Sequence, residues 1–255
     1  MTWADSTDEW VVPQLRRDRQ GVLTVVVGPL GRFGDTTVRT LEKLARIGAD
    51  LTGDVRVVVL ELAGSSSQSD PSTTGSVSAR LASLSDEERD SVLASYQAAV
   101  GWLRRADVVS VATARGPLAG VAVELALCCD LRLVATDASF ALTGGRSEAA
   151  PVLGTTGRLV DLVGAGRATE LCLTGRRVGA AEAERLGLAS RAVPEAELTA
   201  VTDAFVADLL SADRAALAET KALLAGAPQR TPCEQAAAER ESFARRLDDR
   251  YATTD

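Results

Sequence analysis

The sequence predicts an α/β fold in which helices cover a mostly parallel sheet. Short runs rich in β-branched residues alternate with longer segments whose apolar residues recur at helical spacing. Repeated strand–helix alternation of this kind is typical of parallel sheets, because each parallel strand needs a crossover connection. Hydrophobic residues make up 46% of the 255-residue chain, which is ample for a buried core.

The N-terminal quarter predicts an arm, a strand and a helix. Residues 1–20 are polar and charged, and we expect a loose arm there. Val22–Val27 (VLTVVV) predicts the first strand of the core. The glycine-rich residues 28–35 then lead into an amphipathic helix over 36–47, and they indicate either a phosphate cradle or a plain turn. They match neither a P-loop nor a dinucleotide fingerprint.

A second strand is predicted over residues 55–62, followed by a serine-rich polar loop at 63–75. A loop of this length in a compact domain is either mobile or functional. Residues 77–105 predict helix, with a helix start inside the segment at Ser85. Its apolar stripe is expected to pack in the core, and consists of Val92, Tyr96, Val100 and Leu103.

The central stretch, residues 114–130 (ARGPLAGVAVELALCCD), follows a predicted strand at 108–112. A Gly–Pro turn precedes an apolar segment with a single charge, Glu124, which predicts a buried helix. A buried carboxylate is costly unless it is paired, protonated or used in chemistry. Gly120 near the helix start allows close approach of backbone or ligand, and the free N–H groups there can stabilise negative charge. This stretch can therefore hold an oxyanion and offer a carboxyl group for proton transfer.

The remainder of the chain predicts a strand at Leu131–Ala135, short helices, and an edge strand that closes at residue 194. Beyond it, helices are expected over residues 195–210, 213–225 and 234–249. The predicted organisation is thus a polar arm at 1–20, a core at 21–194 and a C-terminal helical region at 195–255.

Composition excludes several classes of function. The net charge of −7 and pI near 4.9 argue against a nucleic-acid binder. The sequence has no long apolar run and no secretory signal pattern, so no membrane association is expected. We expect a cytoplasmic protein whose cysteine thiols are reduced. The four cysteines lack metal-ligand spacing, and the absence of His removes His-dependent triads and zinc sites. No metal or redox cofactor is expected.

The central stretch resembles the signature of the crotonase superfamily, the enoyl-CoA hydratases and isomerases, which runs roughly N-G-x-x-x-G-G-G-x-E-L-A-x-x-C-D. Residues 173–194 also resemble the family's L-T-G-x-x-x-x-A-x-E-A-x-x-x-G-L-V-x-x-V-x-P segment. Further matching positions include Gly116, Gly120, Glu124, Leu125, Ala126, Cys129, Asp130, Ala138, Ser139, Phe140, Pro151, Gly154, Arg158 and Leu159. The resemblance implies a crotonase-like spiral of ββα turns, with a C-terminal helical region used for oligomerisation into trimers or hexamers.

The resemblance also assigns an oxyanion hole and a proton-transfer group. Glu124 matches the family's catalytic carboxylate, the alternative being a structural glutamate paired with an arginine. Val121 falls on the family's oxyanion-hole glycine; valine keeps the backbone N–H, but its side chain would narrow the pocket. The first oxyanion donor aligns near residues 68–70, with Ser69 as the candidate and a disordered connector as the alternative.

Three further residues are candidates for substrate binding. Gly120 would contact the substrate at the helix start, and Arg32 could bind a phosphate of coenzyme A, although the family's Asn-Pro motif is missing there. Lys221 falls where the family often carries a lysine; it is either a coenzyme A contact or a solvated side chain.

The second catalytic glutamate of the family's hydratases is missing. In the register of residues 140–144, it falls on Gly144. Glu148, four positions later, is the substitute candidate, the alternative being a solvated loop glutamate. Hydration needs one group to activate water and another to deliver the carbon-bound proton, so dehydration or isomerisation is favoured over hydration.

Two classes of function follow from the resemblance. The first is an enzyme that acts on an acyl-CoA thioester through an oxyanion-stabilised enolate, of the hydratase/dehydratase type or an isomerase, with coenzyme A as part of the substrate. The departures from the family pattern, above all the missing second glutamate, resemble those of one branch of the family. That branch helps a type III polyketide synthase form 3,5-dihydroxyphenylacetyl-CoA for dihydroxyphenylglycine, a building block of specialised metabolites such as antibiotics. The second is a catalytically weak crotonase-fold partner of such a synthase.

Overall fold

The N-terminal region contains an edge strand that the sequence did not predict. The structure is a computed structural model that describes residues 13–19, 21–30, 33–64, 74–142 and 151–251. Strand β1 (Gln14–Arg19) pairs antiparallel with β2 (Val22–Val27). The prediction of a loose arm over residues 1–20 is therefore wrong for this segment, and residues 1–12 and 20 lie outside the described part.

Six strands form the main sheet, in the order β1-β2-β3-β4-β6-β9, and every neighbouring pair except the first is parallel. A smaller sheet has the order β5-β7-β8. The remaining strands are β3 (Val57–Ala63), β4 (Val109–Arg115), β5 (Pro117–Ala119), β6 (Leu131–Ala135), β7 (Ser139–Ala141), β8 (Arg177–Gly179) and β9 (Arg191–Val193).

Helices follow most strands and cover the main sheet on both faces. In chain order, the described α-helices are α1 (Asp35–Ala49), α2 (Thr74–Ala82), α3 (Asp86–Gly101), α4 (Val121–Cys128), α5 (Thr156–Val163), α6 (Ala165–Thr174), α7 (Ala180–Leu186), α8 (Leu198–Ser211), α9 (Arg214–Gly226) and α10 (Pro232–Tyr251). This alternation confirms the predicted α/β fold with a parallel, helix-covered sheet.

The core lies on both faces of the central strands. In β3, Val58 and Leu60 pack into the larger hydrophobic cluster, together with residues of α1, α3 and α4. Val57 and Val59 point to the other face, where they pack with residues of α8. Burial on both faces explains why these strands are continuous apolar runs rather than alternating ones.

The long helical segment predicted over residues 77–105 is divided into α2 and α3 at Ser85, as the sequence indicated. The Ser85 hydroxyl oxygen accepts from the backbone N–H of Glu88 at 3.3 Å, and Glu88 Oε2 accepts from the backbone N–H of Ser85 at 2.9 Å. This capping box satisfies two N–H groups that a helix start leaves free. Tyr96 and Val100 on α3 are buried, which confirms the predicted core stripe.

Across the described part of the chain, we find no helix that combines the length and apolarity needed to cross a bilayer.

The division into a core at 21–194 and a helical region at 195–255 stays a prediction.

A buried polar cluster ties the C-terminal helices to the sheet. Asp130 Oδ2 accepts from the backbone N–H of Ser110 at 2.8 Å, the Ser110 hydroxyl at 2.9 Å and Lys221 Nζ at 2.6 Å. Lys221 Nζ also donates to the carbonyl of Val108 at 2.5 Å, and its side chain is only 13% exposed. The interpretation of Lys221 as a solvated lysine is therefore wrong, since its ammonium links α9 to Val108, just before β4, and to Asp130, two residues beyond α4.

We expect Asp130→Asn to lower the free energy of unfolding by about 2 kcal/mol, because it leaves the largely buried Lys221 ammonium without a carboxylate partner. The control is Asp107→Asn, whose ion pair with Arg105 is 42% and 41% exposed and should contribute little. Urea denaturation of both variants measures the difference. Equal midpoints for the two variants would contradict a stabilising role of this cluster.

Candidate active site

Helix α4 begins in a backbone conformation that favours glycine. Gly120 has φ +53° and ψ −125°, and its carbonyl accepts from the backbone N–H groups of Val123 and Glu124 at 3.0 and 3.1 Å. Its own N–H donates to the carbonyl of Ala141 at 3.2 Å, which ties the helix start to β7. Gly120 thus fixes the position of α4, and its predicted contact with a substrate stays a prediction.

The start of α4 contains two backbone N–H groups that make no hydrogen bond to the described part of the chain. Among the residues that the structure describes, the backbone N–H groups of Val121 and Ala122 have no acceptor. The Val121 side chain is buried in the core cluster, with 4% exposed. Such a donor at a helix start is suited to an oxyanion, which is the role predicted for Val121.

The Glu124 side chain is buried in the middle of α4, and its carboxylate is held by three donors. Oε2 accepts from the backbone N–H of Val152 at 2.9 Å and that of Leu153 at 2.7 Å. The Thr155 hydroxyl donates to the same oxygen at 3.3 Å. Within the described ranges, Oε1 accepts no hydrogen bond and no arginine pairs with the carboxylate. Among the described residues, hydrogen-bond donors rather than an arginine therefore hold the Glu124 carboxylate; Arg146 lies outside the described residues.

Burial dominates the proton affinity of Glu124. Removal from water raises the pKa of this carboxyl group, and the hydrogen bonds from Leu153, Val152 and Thr155 lower it by a smaller amount. The net result is a pKa above the ordinary glutamate value. Such a shift moves the group toward the pH range in which a carboxyl can both take and return a proton.

The segment that binds Glu124 is itself fixed from the other side. Gln97 on α3 donates from Nε2 to the carbonyl of Val152 at 3.1 Å. That carbonyl and the N–H of Leu153 belong to one peptide group, so Gln97 orients the unit that donates to Glu124. Gly154 follows with φ +69°, a conformation that lets the chain turn before α5.

Two thiols near Glu124 are held in the neutral form. Burial raises the pKa of Cys128 on α4 to about 12, and it also raises the pKa of Cys172 on α6. The negative charge of Glu124 acts in the same direction on both thiols. Cys128 and Cys129 are buried in the core cluster, as the sequence predicted.

The start of the serine-rich loop lies against the turn that precedes α4. The N–H of Gly64 donates to the carbonyl of Arg115 at 2.7 Å. A Cβ at Gly64 would lie 2.5 Å from the carbonyl carbon of Gly116 and the nitrogen of Pro117, so only glycine allows this approach. The close contact places the beginning of the predicted oxyanion loop beside the central stretch.

Several predicted site residues lie outside the described residues, namely Arg32, Ser69, Glu148 and the register position Gly144. Their roles stay predictions. In the described part, no group of three or more Cys, Asp or Glu side chains is arranged to hold a metal ion. The donors from residues 152, 153 and 155 were not predicted, because two of them are backbone groups with no signature in the sequence.

Comparison with known proteins identifies the family. The model of the enoyl-CoA hydratase/isomerase family matches residues 40–251. A Mycobacterium bovis protein named as a probable enoyl-CoA hydratase, echA12, is 35% identical over 200 residues, covering 74% of this chain and 67% of that protein. A second M. bovis protein of that description, echA8, is 31% identical over 191 residues, covering 70% of this chain and 74% of its own length.

A solved structure agrees in fold. A Thermobifida fusca protein described as an enoyl-CoA hydratase, in complex with acetoacetyl-CoA, superposes with a TM-score of 0.78. It is 37% identical, and the match covers 93% of this chain and 95% of that one. The chain belongs to the enoyl-CoA hydratase/isomerase family, within the crotonase superfamily, and has its fold.

We expect Glu124→Gln to be more stable than the natural protein at neutral pH and equally stable in acid. The folded-state pKa of Glu124 is raised, so its protonated form stabilises the folded protein. This contribution is fully present below the unfolded-state pKa, which is about 4.3. That stability is lost as the pH rises through the folded-state pKa. Urea denaturation at several pH values measures the difference.

The matched control is Glu42→Gln, which removes a carboxyl group from the exposed side of α1. A stability difference between Glu124→Gln and the natural protein that stays constant from acid to neutral pH would contradict the assignment.

Proposed function

We propose that this protein is an enzyme that acts on an acyl-CoA thioester through an oxyanion-stabilised enolate. The observation that carries the proposal is the buried Glu124 carboxylate, held by three donors one helical turn beyond the Val121 N–H, which has no acceptor among the described residues. A group for proton transfer and a donor for negative charge on oxygen are the two parts that enolate chemistry needs.

The spacing of the two groups on α4 suits a thioester. Val121 and Glu124 are three residues apart, so they lie on the same side of the helix, separated by about 4.5 Å along its axis. A thioester carbonyl oxygen bound at the Val121 N–H would place the α-carbon, which is bonded to the carbonyl carbon, toward Glu124. Glu124 takes a proton from that carbon, and the electron pair of the broken C–H bond moves onto the thioester oxygen.

The fate of the enolate sets the reaction type. Loss of a β-hydroxyl as water gives an enoyl-CoA, and the reverse is hydration; this hydratase/dehydratase chemistry is our first candidate. Return of the proton at another carbon is isomerisation, the second candidate. Isomerisation is compatible with the buried Glu124 alone, because one carboxylate can serve both proton transfers.

Coenzyme A is proposed as part of the substrate, and no other cofactor is required by this chemistry. Support comes from the Thermobifida fusca protein, solved both with acetoacetyl-CoA and with coenzyme A. The link to a polyketide synthase and to 3,5-dihydroxyphenylacetyl-CoA, as well as the role of a catalytically weak partner, stay predictions.

We also propose a homotrimer or a hexamer. Support comes from large apolar side chains that are exposed on the C-terminal helices of the single chain. They are Leu224 on α9, with Phe243, Leu247 and Tyr251 on α10. Exposed apolar side chains concentrated on one region are typical of surfaces that another subunit covers.

Glu124→Gln should lower the exchange of the α-protons of butyryl-CoA with deuterated water by about 10²- to 10⁴-fold, since it removes the group that moves the proton. Mass spectrometry follows the exchange. Calorimetric titration with acetoacetyl-CoA should show that the variant still binds the thioester. Glu42→Gln, on the exposed side of α1, is the control and should exchange at the natural rate.

Full exchange activity in Glu124→Gln would show that Glu124 is not the proton-transfer group. A natural protein that binds the thioester but exchanges no proton would instead support the partner role.

A further inference from the structure

The side chain of Thr155, at the start of α5, does not form the hydrogen bond that its position favours. It occupies the N-cap position of α5, yet its side chain makes no capping hydrogen bond. Threonine at this position ordinarily accepts a hydrogen bond from a backbone N–H in the first turn. Here the hydroxyl donates instead to Glu124 Oε2, at 3.3 Å.

The hydroxyl of Thr155 is a buried donor with a single target. The residue is only 2% exposed, so water does not compete for its proton. The other two donors to Oε2 are the backbone N–H groups of Val152 and Leu153, which accompany any side chain. Among the described residues, Thr155 is therefore the one side chain that adjusts the Glu124 carboxylate.

We propose that Thr155 is a positioning residue: its hydroxyl keeps Glu124 Oε2 as the hydrogen-bonded oxygen and leaves Oε1 to exchange the proton with the substrate. Three donors on one oxygen disfavour a proton there, since a protonated Oε2 would meet N–H and O–H groups that point at it. The catalytic part of this proposal rests on the proposed function, whereas the effect on the Glu124 carboxyl does not.

Few other titratable or charged groups lie near the Glu124 carboxyl group in the described part of the chain. The titratable side chains near it on α4 and α6 are the thiols of Cys128 and Cys172, which burial holds neutral. On α3, which packs against α4, the buried titratable residue is Tyr96. On α5, Arg158 donates to the carbonyl of Asp130 at 3.4 Å. No charged side chain of the described residues shifts the Glu124 pKa, which responds to burial and to its three donors.

The test compares Thr155→Val, which removes the hydroxyl at nearly the same shape, with Thr155→Ser, which keeps it. Thr156→Val, at the exposed neighbouring position, is the matched control. Infrared difference spectra against Glu124→Gln follow the ionisation of the Glu124 carboxyl in each protein with pH. The pH profile of α-proton exchange with butyryl-CoA follows its catalytic use.

We expect Thr155→Val to move the ionisation of Glu124 to higher pH, because a donor to the ionised form is lost. The acidic limb of the exchange profile should move in the same direction. At a fixed pH on that limb, exchange should fall by about three- to tenfold. Thr155→Ser should restore both curves, and Thr156→Val should leave both unchanged.

An unshifted ionisation curve in a folded Thr155→Val protein would overturn the proposal, as would the same loss of exchange in Thr155→Ser. If the natural protein exchanges no proton at all, the proposed function fails, while the infrared titration still decides whether Thr155 controls Glu124. Thermal denaturation of each variant separates a local change from unfolding. If Thr155→Val does not fold, the deciding comparison is between Thr155→Ser and the natural protein. Unequal ionisation curves of Glu124 in these two proteins would overturn the proposal.

Discussion

The convergence of three hydrogen-bond donors on one oxygen of Glu124 is the interaction on which the site depends. Without these donors, an ionised carboxylate in a buried helix would turn toward water or take up a proton. The reason is that an apolar environment does not replace the hydrogen bonds that the carboxylate makes to water. The donors are placed by residues 152–155, which arrive from beyond α4 in sequence. The burial that raises the Glu124 pKa and the donors that oppose it together set a carboxyl that can take and release a proton.

Both ends of α4 are fixed so that this carboxylate keeps its place. At the start of the helix, Gly120 is hydrogen-bonded to Ala141 of β7. Beyond its end, Asp130 joins Ser110 of β4 to Lys221 of α9. A helix of eight residues has little stability of its own, so its position depends on these contacts and on the core around it. The N–H of Val121 and the Glu124 side chain consequently share one rigid support.

The central strands and the buried helix could be predicted because their apolar patterns are local. Strands β2 and β6 begin and end where the sequence placed them. Strand β1 could not be predicted, since an edge strand with four charged residues out of six resembles a polar arm. Its Arg16 binds Glu61 of β3, which is 45 residues away in sequence.

The same limit applies to the site. Glu124 stood out because a single charge interrupts an apolar helix, and the family resemblance gave it a role. Its donors did not stand out, because Val152 and Leu153 contribute backbone groups, and a threonine before a helix predicts a cap. Lys221 on an amphipathic helix predicts a solvated side chain unless the position of Asp130, 91 residues earlier, is known.

The most direct test of the central claim is a crystal structure of this protein with acetoacetyl-CoA. We predict a thioester oxygen about 2.7–3.1 Å from the backbone nitrogen of Val121, with Glu124 Oε2 still hydrogen-bonded to residues 152 and 153 and Oε1 facing the carbon next to the carbonyl. A thioester bound away from the start of α4, or a Glu124 side chain turned away from the bound acyl group, would contradict it.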